Sequence, residues 1–137
     1  LERLDTFVNA KRELAAYYND GLRQLGDISL PPEESWALNG FWLYSCLVQE
    51  GFGMKRDELM EKMTRNGIET RPLFYPLHEM PPYVRYIRPG QRFDVSTGLS
   101  RTGISLPSSV TITREEQNSV LDAMRAIHDT RKLHATV

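Results

Sequence analysis

Residues 41–49 read Phe41-Trp42-Leu43-Tyr44-Ser45-Cys46-Leu47-Val48-Gln49, an almost unbroken apolar and aromatic run. Turn formers close it on both sides, Asn39-Gly40 before and Gly51-Phe52-Gly53 after. A short run bounded in this way suits a central β-strand buried on both faces, because such a strand loses the in-out alternation of a half-exposed one. Trp42 and Tyr44 are therefore expected in the core, and Cys46 packs as a small hydrophobe.

Toward the N-terminus, Leu4, Val8, Ala15, Tyr18, Leu22 and Leu25 recur at steps of three, four and seven, and Phe7, Leu14 and Tyr17 widen the stripe. That spacing predicts a long amphipathic helix over 1–26, stopped by Gly26 in the left-handed conformation. Pro31-Pro32-Glu33-Glu34 follows as an extended connector. Leu1 starts inside the helical pattern without a capping residue, as expected of a chain cut from a longer one.

Toward the C-terminus, Leu59, Met60 and Met63 place a helix over 56–65, ended by Asn66-Gly67, and residues 68–71 are expected as a second strand. The proline-rich stretch 72–89 carries Tyr75, His78, Tyr83 and Tyr86 and keeps neither period, so a long functional loop is expected. A short helix over 94–101 is weakened by Gly98, and Gly103 to Pro107 reads as a strand closed by proline. Thr113 with Glu116 forms a capping box, and Val120, Leu121, Met124 and Ile127 mark the buried face of a last helix. Residues 131–137 are expected to fray. The order describes an α+β fold, a small sheet of about three strands with helices packed on it, with its body at 39–130.

Composition narrows the function. The 17 basic and 18 acidic residues nearly cancel and are scattered, which argues against a nucleic-acid partner. No apolar stretch approaches the roughly 20 residues of a membrane span, and the first residues alternate charged with apolar side chains rather than forming the pattern expected of a signal peptide. The single Cys46 allows no internal disulfide, so a reducing compartment, the cytoplasm, is expected. No metal-ligand motif, P-loop or nucleophile elbow occurs. Lys11, Lys55, Lys62 and Lys132 fall among other charges on helix faces or ends, where an amine stays solvated, so none reads as a Schiff-base lysine.

Three groups that can hold a polar ligand converge on one stretch: Arg71, Tyr75 and His78. An arginine forks onto carboxylate or phosphate, a tyrosine stacks or hydrogen-bonds, and a histidine donates to hydroxyl or phosphate. From the residues alone the structural alternatives lead: Arg71 paired with Glu69 or Glu79, Tyr75 packed in its loop, His78 bonded to backbone. His128 and His134 are expected as solvated helix-end residues.

The stretch GIETRPLFYPLH (67–78), then Pro81-Pro82-Tyr83, then GISLPSS (103–109) before a capped helix, resembles the end of the DegT/DnrJ/EryC1/StrS aminotransferases. Asn39 to Tyr44 is similar to that family's Asn-x-aromatic-Trp segment, and the first helix to its interdomain helix. Met54-Lys55, where a capping Ser or Thr is commoner, and Gly98 depart from the pattern. The resemblance implies the C-terminal small domain of a fold-type-I enzyme that uses pyridoxal phosphate to move an amino group from glutamate to a nucleotide-linked keto sugar, normally as a homodimer. It implies that the large domain with the Schiff-base lysine is absent, that no catalytic residue, cofactor or metal ligand lies in this chain, and that the chain alone is inactive. Arg71, Tyr75 and His78 carry over as substrate-binding residues, with Asn39 and Trp42 beside them. A freestanding α+β module binding a small ligand or a protein, and a purely structural dimerisation domain, remain the alternatives. An apolar face left uncovered on the first helix is expected to promote self-association.

Overall fold

The computed structural model describes residues 2–134. Its sheet is made of β1 (Ile28–Ser29), β2 (Tyr44–Val48), β3 (Arg71–Pro72) and β4 (Gly103–Leu106), in the order β1-β2-β4-β3, with every neighbouring pair antiparallel. Five helices accompany it: α1 (Leu4–Arg23), α2 (Arg56–Arg65), α3 (Pro81–Val84), α4 (Asp94–Thr102) and α5 (Arg114–His134). The α+β class matches the sequence reading. The sheet gains a fourth strand because Ile28-Ser29 pairs with the free edge of β2, and two residues are too few to leave a periodic signal.

Tyr44, Cys46 and Val48 are buried on one face of β2, while Ser45 and Leu47 are half-buried on the other. The register sets Tyr44 opposite Leu106 and Cys46 opposite Ile104. These side chains form one core with Leu14, Ala15, Tyr18 and Leu22 of α1, Leu59 and Met63 of α2, and Val120, Leu121, Met124 and Ile127 of α5. The strand buried along its whole length is β4, not β2, although both lie between two strands. Burial pushes the Cys46 thiol up to about 12 and raises both Tyr18 and Tyr44.

Helix α2 matches the predicted span, ending at Arg65, and the chain leaving it turns through Gly67 at φ +76°; the chain leaving α1 turns through Gly26 at φ +78°. No side chain caps α2 at Lys55, and Asp57 and Glu58 in its first turn offset the helix dipole instead. Arg56 is buried, and its Nη1 donates to the carbonyls of Ser100 (3.1 Å) and Gly103 (2.8 Å), joining α2 to the end of α4 and the start of β4. The capping box forms as read: Glu116 N–H donates to Thr113 Oγ1 (3.2 Å) and Thr113 N–H to Glu116 Oε2 (2.7 Å).

Several expectations need correction. Helix α1 starts at Leu4, and Leu4 and Phe7 are exposed, since its buried face begins only at Leu14. The second strand is Arg71–Pro72 rather than 68–71; Ile68 packs against the core from outside the sheet. The 72–89 stretch contains a 3-10 turn at Leu77–Glu79 as well as α3. Helix α5 continues to His134, past the expected fraying point, and residues 135–137 lie outside those described. His128 is 1% exposed rather than solvated. It sits four residues after Met124, on the same helix face, where its ring tilts against Phe52 and Nε2 lies 3.3 Å from Asp27 Oδ2. The side chains of Lys132 and His134 lie outside the described residues. No described helix is long and apolar enough to cross a membrane.

Helices α1 and α5 meet closely at Gly21, where a Cβ would lie 2.5 Å from Leu121 Cδ1 in the core. Gly21→Ala is expected to destabilise the fold by about 1–3 kcal/mol through overpacking, seen as a lower urea midpoint with an unchanged slope. An unchanged midpoint would show that this contact yields freely.

Candidate functional site

A cavity of about 1030 Å³ opens between β3, the segment following β4 and the start of α5. Its walls include Lys11, Trp42, Arg71, Phe74, Ser108 and Ser109. Arg71 comes from edge strand β3, opposite Ser105 of β4, and the two share a sheet face. Its Nη2 lies 3.1 Å from Glu69 Oε1, so of the two acids the sequence offered, Glu69 is the partner. Both groups are exposed, and such a pair is worth only about 0–1 kcal/mol. The guanidinium can therefore exchange Glu69 for a ligand anion at little cost.

Trp42 stands at this wall, 75% exposed rather than in the core. The cause is one residue earlier: Phe41 has φ +45°, a conformation that costs a bulky residue about 1–3 kcal/mol. Its neighbours hold it there. Phe41 N–H donates to Asn39 Oδ1 (2.8 Å), Asn39 Nδ2 donates to Pro32 O (3.3 Å), and Arg12 Nη1 donates to Asn39 O (2.7 Å). Glu33 completes the turn by accepting from Arg12 and from Asn39 N–H. Phe41 is thereby buried and Trp42 turned outward, its ring stacked on Phe74 at 6.3 Å. Asn39 shapes this wall and does not line the cavity.

Lys11 corrects the expectation of a solvated amine. Its Nζ donates to Trp42 O (2.9 Å) and to Ser108 O, and burial lowers its pKa. No sequence signal marks it, because its acceptors lie 31 and 97 residues away. Phe74 and Ser108, by contrast, lie within TRPLFYPLH and GISLPSS. The other two predicted ligands sit on the loop beyond the cavity. Tyr75 is 65% exposed. The His78 ring stacks on Phe93 (4.3 Å, 16°), with Nε2 3.0 Å from Thr97 Oγ1. The structure thus brings Arg71 and Trp42 to one cavity, keeps Tyr75 and His78 on the adjoining loop, and leaves Asn39 behind the wall.

A four-stranded antiparallel sheet covered by three helices, with a proline-rich loop leaving its edge strand, is the fold of the small domain of pyridoxal-phosphate aminotransferases. The chain belongs to the DegT/DnrJ/EryC1/StrS aminotransferase family, whose profile matches residues 1–125. It is 36% identical to the GDP-perosamine synthase of Vibrio cholerae over 108 residues, which cover 79% of this chain and 29% of that protein. It is 31% identical to the GDP-perosamine synthase of Caulobacter vibrioides over 127 residues, 90% of this chain and 33% of that one. Among solved structures it superposes on S. venezuelae DesV, crystallised with a ketimine intermediate, with a TM-score of 0.83 and 27% identity over 93% of this chain and 33% of that one. The chain spans about a third of the length of these relatives.

Among the described residues no lysine has the setting of a Schiff-base lysine. Lys11 is engaged by two carbonyls, Lys55 is exposed at the start of α2, and Lys62 pairs with Glu58 at 3.2 Å. None of these amines stands unpaired in a closed pocket, as a Schiff-base lysine must.

The turn that exposes Trp42 is expected to respond to acid. The hydrogen bond from Arg12, and then that from Asn39 N–H, hold the Glu33 carboxyl below its ordinary value of 4.5. Because the folded value is depressed, the stabilisation is fully present above 4.5 and is lost as pH falls through the lower folded value. In a Trp36→Phe background, Trp42 emission is expected to change in that acid window, and Glu33→Gln should remove the change. Identical acid profiles in the two proteins would refute the linkage.

Proposed function

We propose that this chain is the C-terminal small domain of a pyridoxal-phosphate aminotransferase that transfers an amino group from glutamate to a nucleotide-linked keto sugar, as in a perosamine synthase. One observation carries the reading: the family match runs over residues 1–125, and within it the TRPLFYPLH stretch supplies Arg71 and Phe74 to the cavity wall. The identity to proteins named GDP-perosamine synthase supports the sugar-nucleotide substrate. In this reading the cofactor, which supplies the electron sink for amino transfer, and its lysine are held outside this chain. The residues here bind and orient. Arg71 forks onto diphosphate oxygens, Tyr75 and His78 meet sugar hydroxyls, and the Trp42–Phe74 pair gives the ligand an apolar platform. A homodimer in the cytoplasm completes the proposal, and the buried, unpaired Cys46 suits a reducing compartment.

The test is kinetic and uses the enzyme that contains this chain. Arg71→Ala should raise KM for the sugar nucleotide about 10- to 100-fold, the range for a hydrogen bond to a charged group, and Tyr75→Phe and His78→Ala by about tenfold or less. Unchanged KM in all three would defeat the site assignment. The 137-residue chain alone, incubated with pyridoxal phosphate and borohydride, should yield no reduced lysine adduct; a stoichiometric adduct would place the cofactor lysine here after all.

A further inference from the structure

His78 is held by two side chains that the substrate reading does not use. Thr97, in the first turns of α4, places Oγ1 3.0 Å from His78 Nε2 and 2.9 Å from Glu79 Oε1. Glu79 Oε1 itself is 3.7 Å from Nε2, too far for a direct hydrogen bond. Phe93, just before α4, covers one face of the imidazole with ring planes 16° apart. The ring is therefore fixed by stacking and by one hydrogen bond, and 16% of the side chain remains exposed.

Proton counting sets the direction of each bond. A carboxylate only accepts, so the one hydroxyl proton of Thr97 goes to Glu79. The Thr97 oxygen then has only lone pairs to offer His78, and the bond between them requires a proton on Nε2. In the neutral ring this leaves Nδ1 as an acceptor, and among the described residues no hydrogen bond reaches it.

We propose that Glu79 and Thr97 are positioning residues that hold His78 in its Nε2–H form, so that Nδ1 accepts a hydrogen bond from a sugar hydroxyl of the ligand. The relay runs Glu79, Thr97, His78, ligand, with every donor matched to an acceptor. It rests on the reading of His78 as a substrate-facing residue and sharpens it: the neutral imidazole takes a proton donor from the ligand rather than offering one to a phosphate. It also gives α4 a part in the site, although α4 contributes no residue to the large cavity.

Two measurements separate the relay from its ligand. The first is the imidazole 15N spectrum of the 137-residue chain at alkaline pH. Wild type and Thr97→Ser should both show a pyrrole-like Nε2 and a pyridine-like Nδ1. Thr97→Val, which removes the acceptor at near-constant volume, and Glu79→Gln, whose amide can reverse the direction of the Thr97 hydroxyl, should each raise the Nδ1–H fraction. A majority of Nδ1–H in wild type, or a ratio untouched by both substitutions, would overturn the relay. The second is KM for the sugar nucleotide in the enzyme containing this chain, expected to rise up to about tenfold in Thr97→Val and to return in Thr97→Ser. If the tautomer shifts while KM does not move, the relay stands, and both the acceptor role of Nδ1 and the substrate-facing reading of His78 fall.

Discussion

Everything in this fold hangs on the antiparallel ladder between β2 and β4, which sets Tyr44, Ser45, Cys46 and Leu47 opposite Leu106, Ser105, Ile104 and Gly103. Side chains alternate across a sheet, so a slip of one residue would carry Tyr44 and Cys46 away from the helices and present Ser45 to the core. The register is fixed from both faces. Apolar residues meet α1, α2 and α5 on one side, and Ser45 and Ser105 hydrogen-bond at 2.8 Å on the other. The outer strands add little by themselves, since β1 and β3 have two residues each. Pro72, which cannot donate to a further strand, leaves the β3 edge unsuited to pairing with another chain. Arg71 is consequently placed by the central ladder, through its pairing with Ser105.

The same ladder delivers residues 107–109 to the cavity, where three separate ties fasten them. Tyr18 donates to Pro107 O (2.9 Å), Tyr44 N–H donates to Ser108 Oγ (3.2 Å), and Lys11 reaches Ser108 O. The Tyr44 hydroxyl is used in turn, donating to Asn19 Oδ1 at 2.6 Å. These polar groups sit among buried side chains and each finds a partner, as low-dielectric surroundings demand. The wall on this side is rigid, built on core residues. The loop from Leu73 to Pro89 is different: among its residues only Pro76 is buried, so it lies over the surface rather than in the core.

What the sequence disclosed follows from the range of the interactions concerned. Helices α2 and α5 were legible because their signals are local: a 3.6-residue stripe, Asn66-Gly67 at one end and the Thr113–Glu116 pair at the other. Strand β4 was legible from GISLP. The places where the reading failed are governed by partners distant in sequence. Trp42 looked like core because its neighbours are apolar, yet a left-handed Phe41, held by Arg12, Pro32 and Asn39, turns it outward. His128 looked solvated because it lies near a helix end, yet Asp27 and Phe52 enclose it. Of the site residues, Arg71 and Trp42 do line the cavity, but Lys11 needed two carbonyls that no periodicity announces, and the Thr97 contact of His78 spans 19 residues.

The exposed aromatic pair is where stability and function pull apart. Holding Phe41 in the left-handed region costs about 1–3 kcal/mol, and its outcome is an indole in water. For the folded chain alone this is unfavourable twice over, since burying a large apolar side chain is worth a further ~1.5–3 kcal/mol that Trp42 forgoes. The cost is sustained by structure on every side: the Arg12–Glu33 pair, the Asn39 turn and the burial of Phe41 itself. Strain so thoroughly supported, at a residue beside a cavity, accords with the contact surface proposed above. Trp42 and Phe74 converge there from segments about 30 residues apart, and Arg71, its charge lightly held by Glu69, stands in the same wall. An apolar platform next to a readily released cation suits a ligand with one flat or hydrophobic portion and one anionic portion, the combination found in a nucleotide diphosphate.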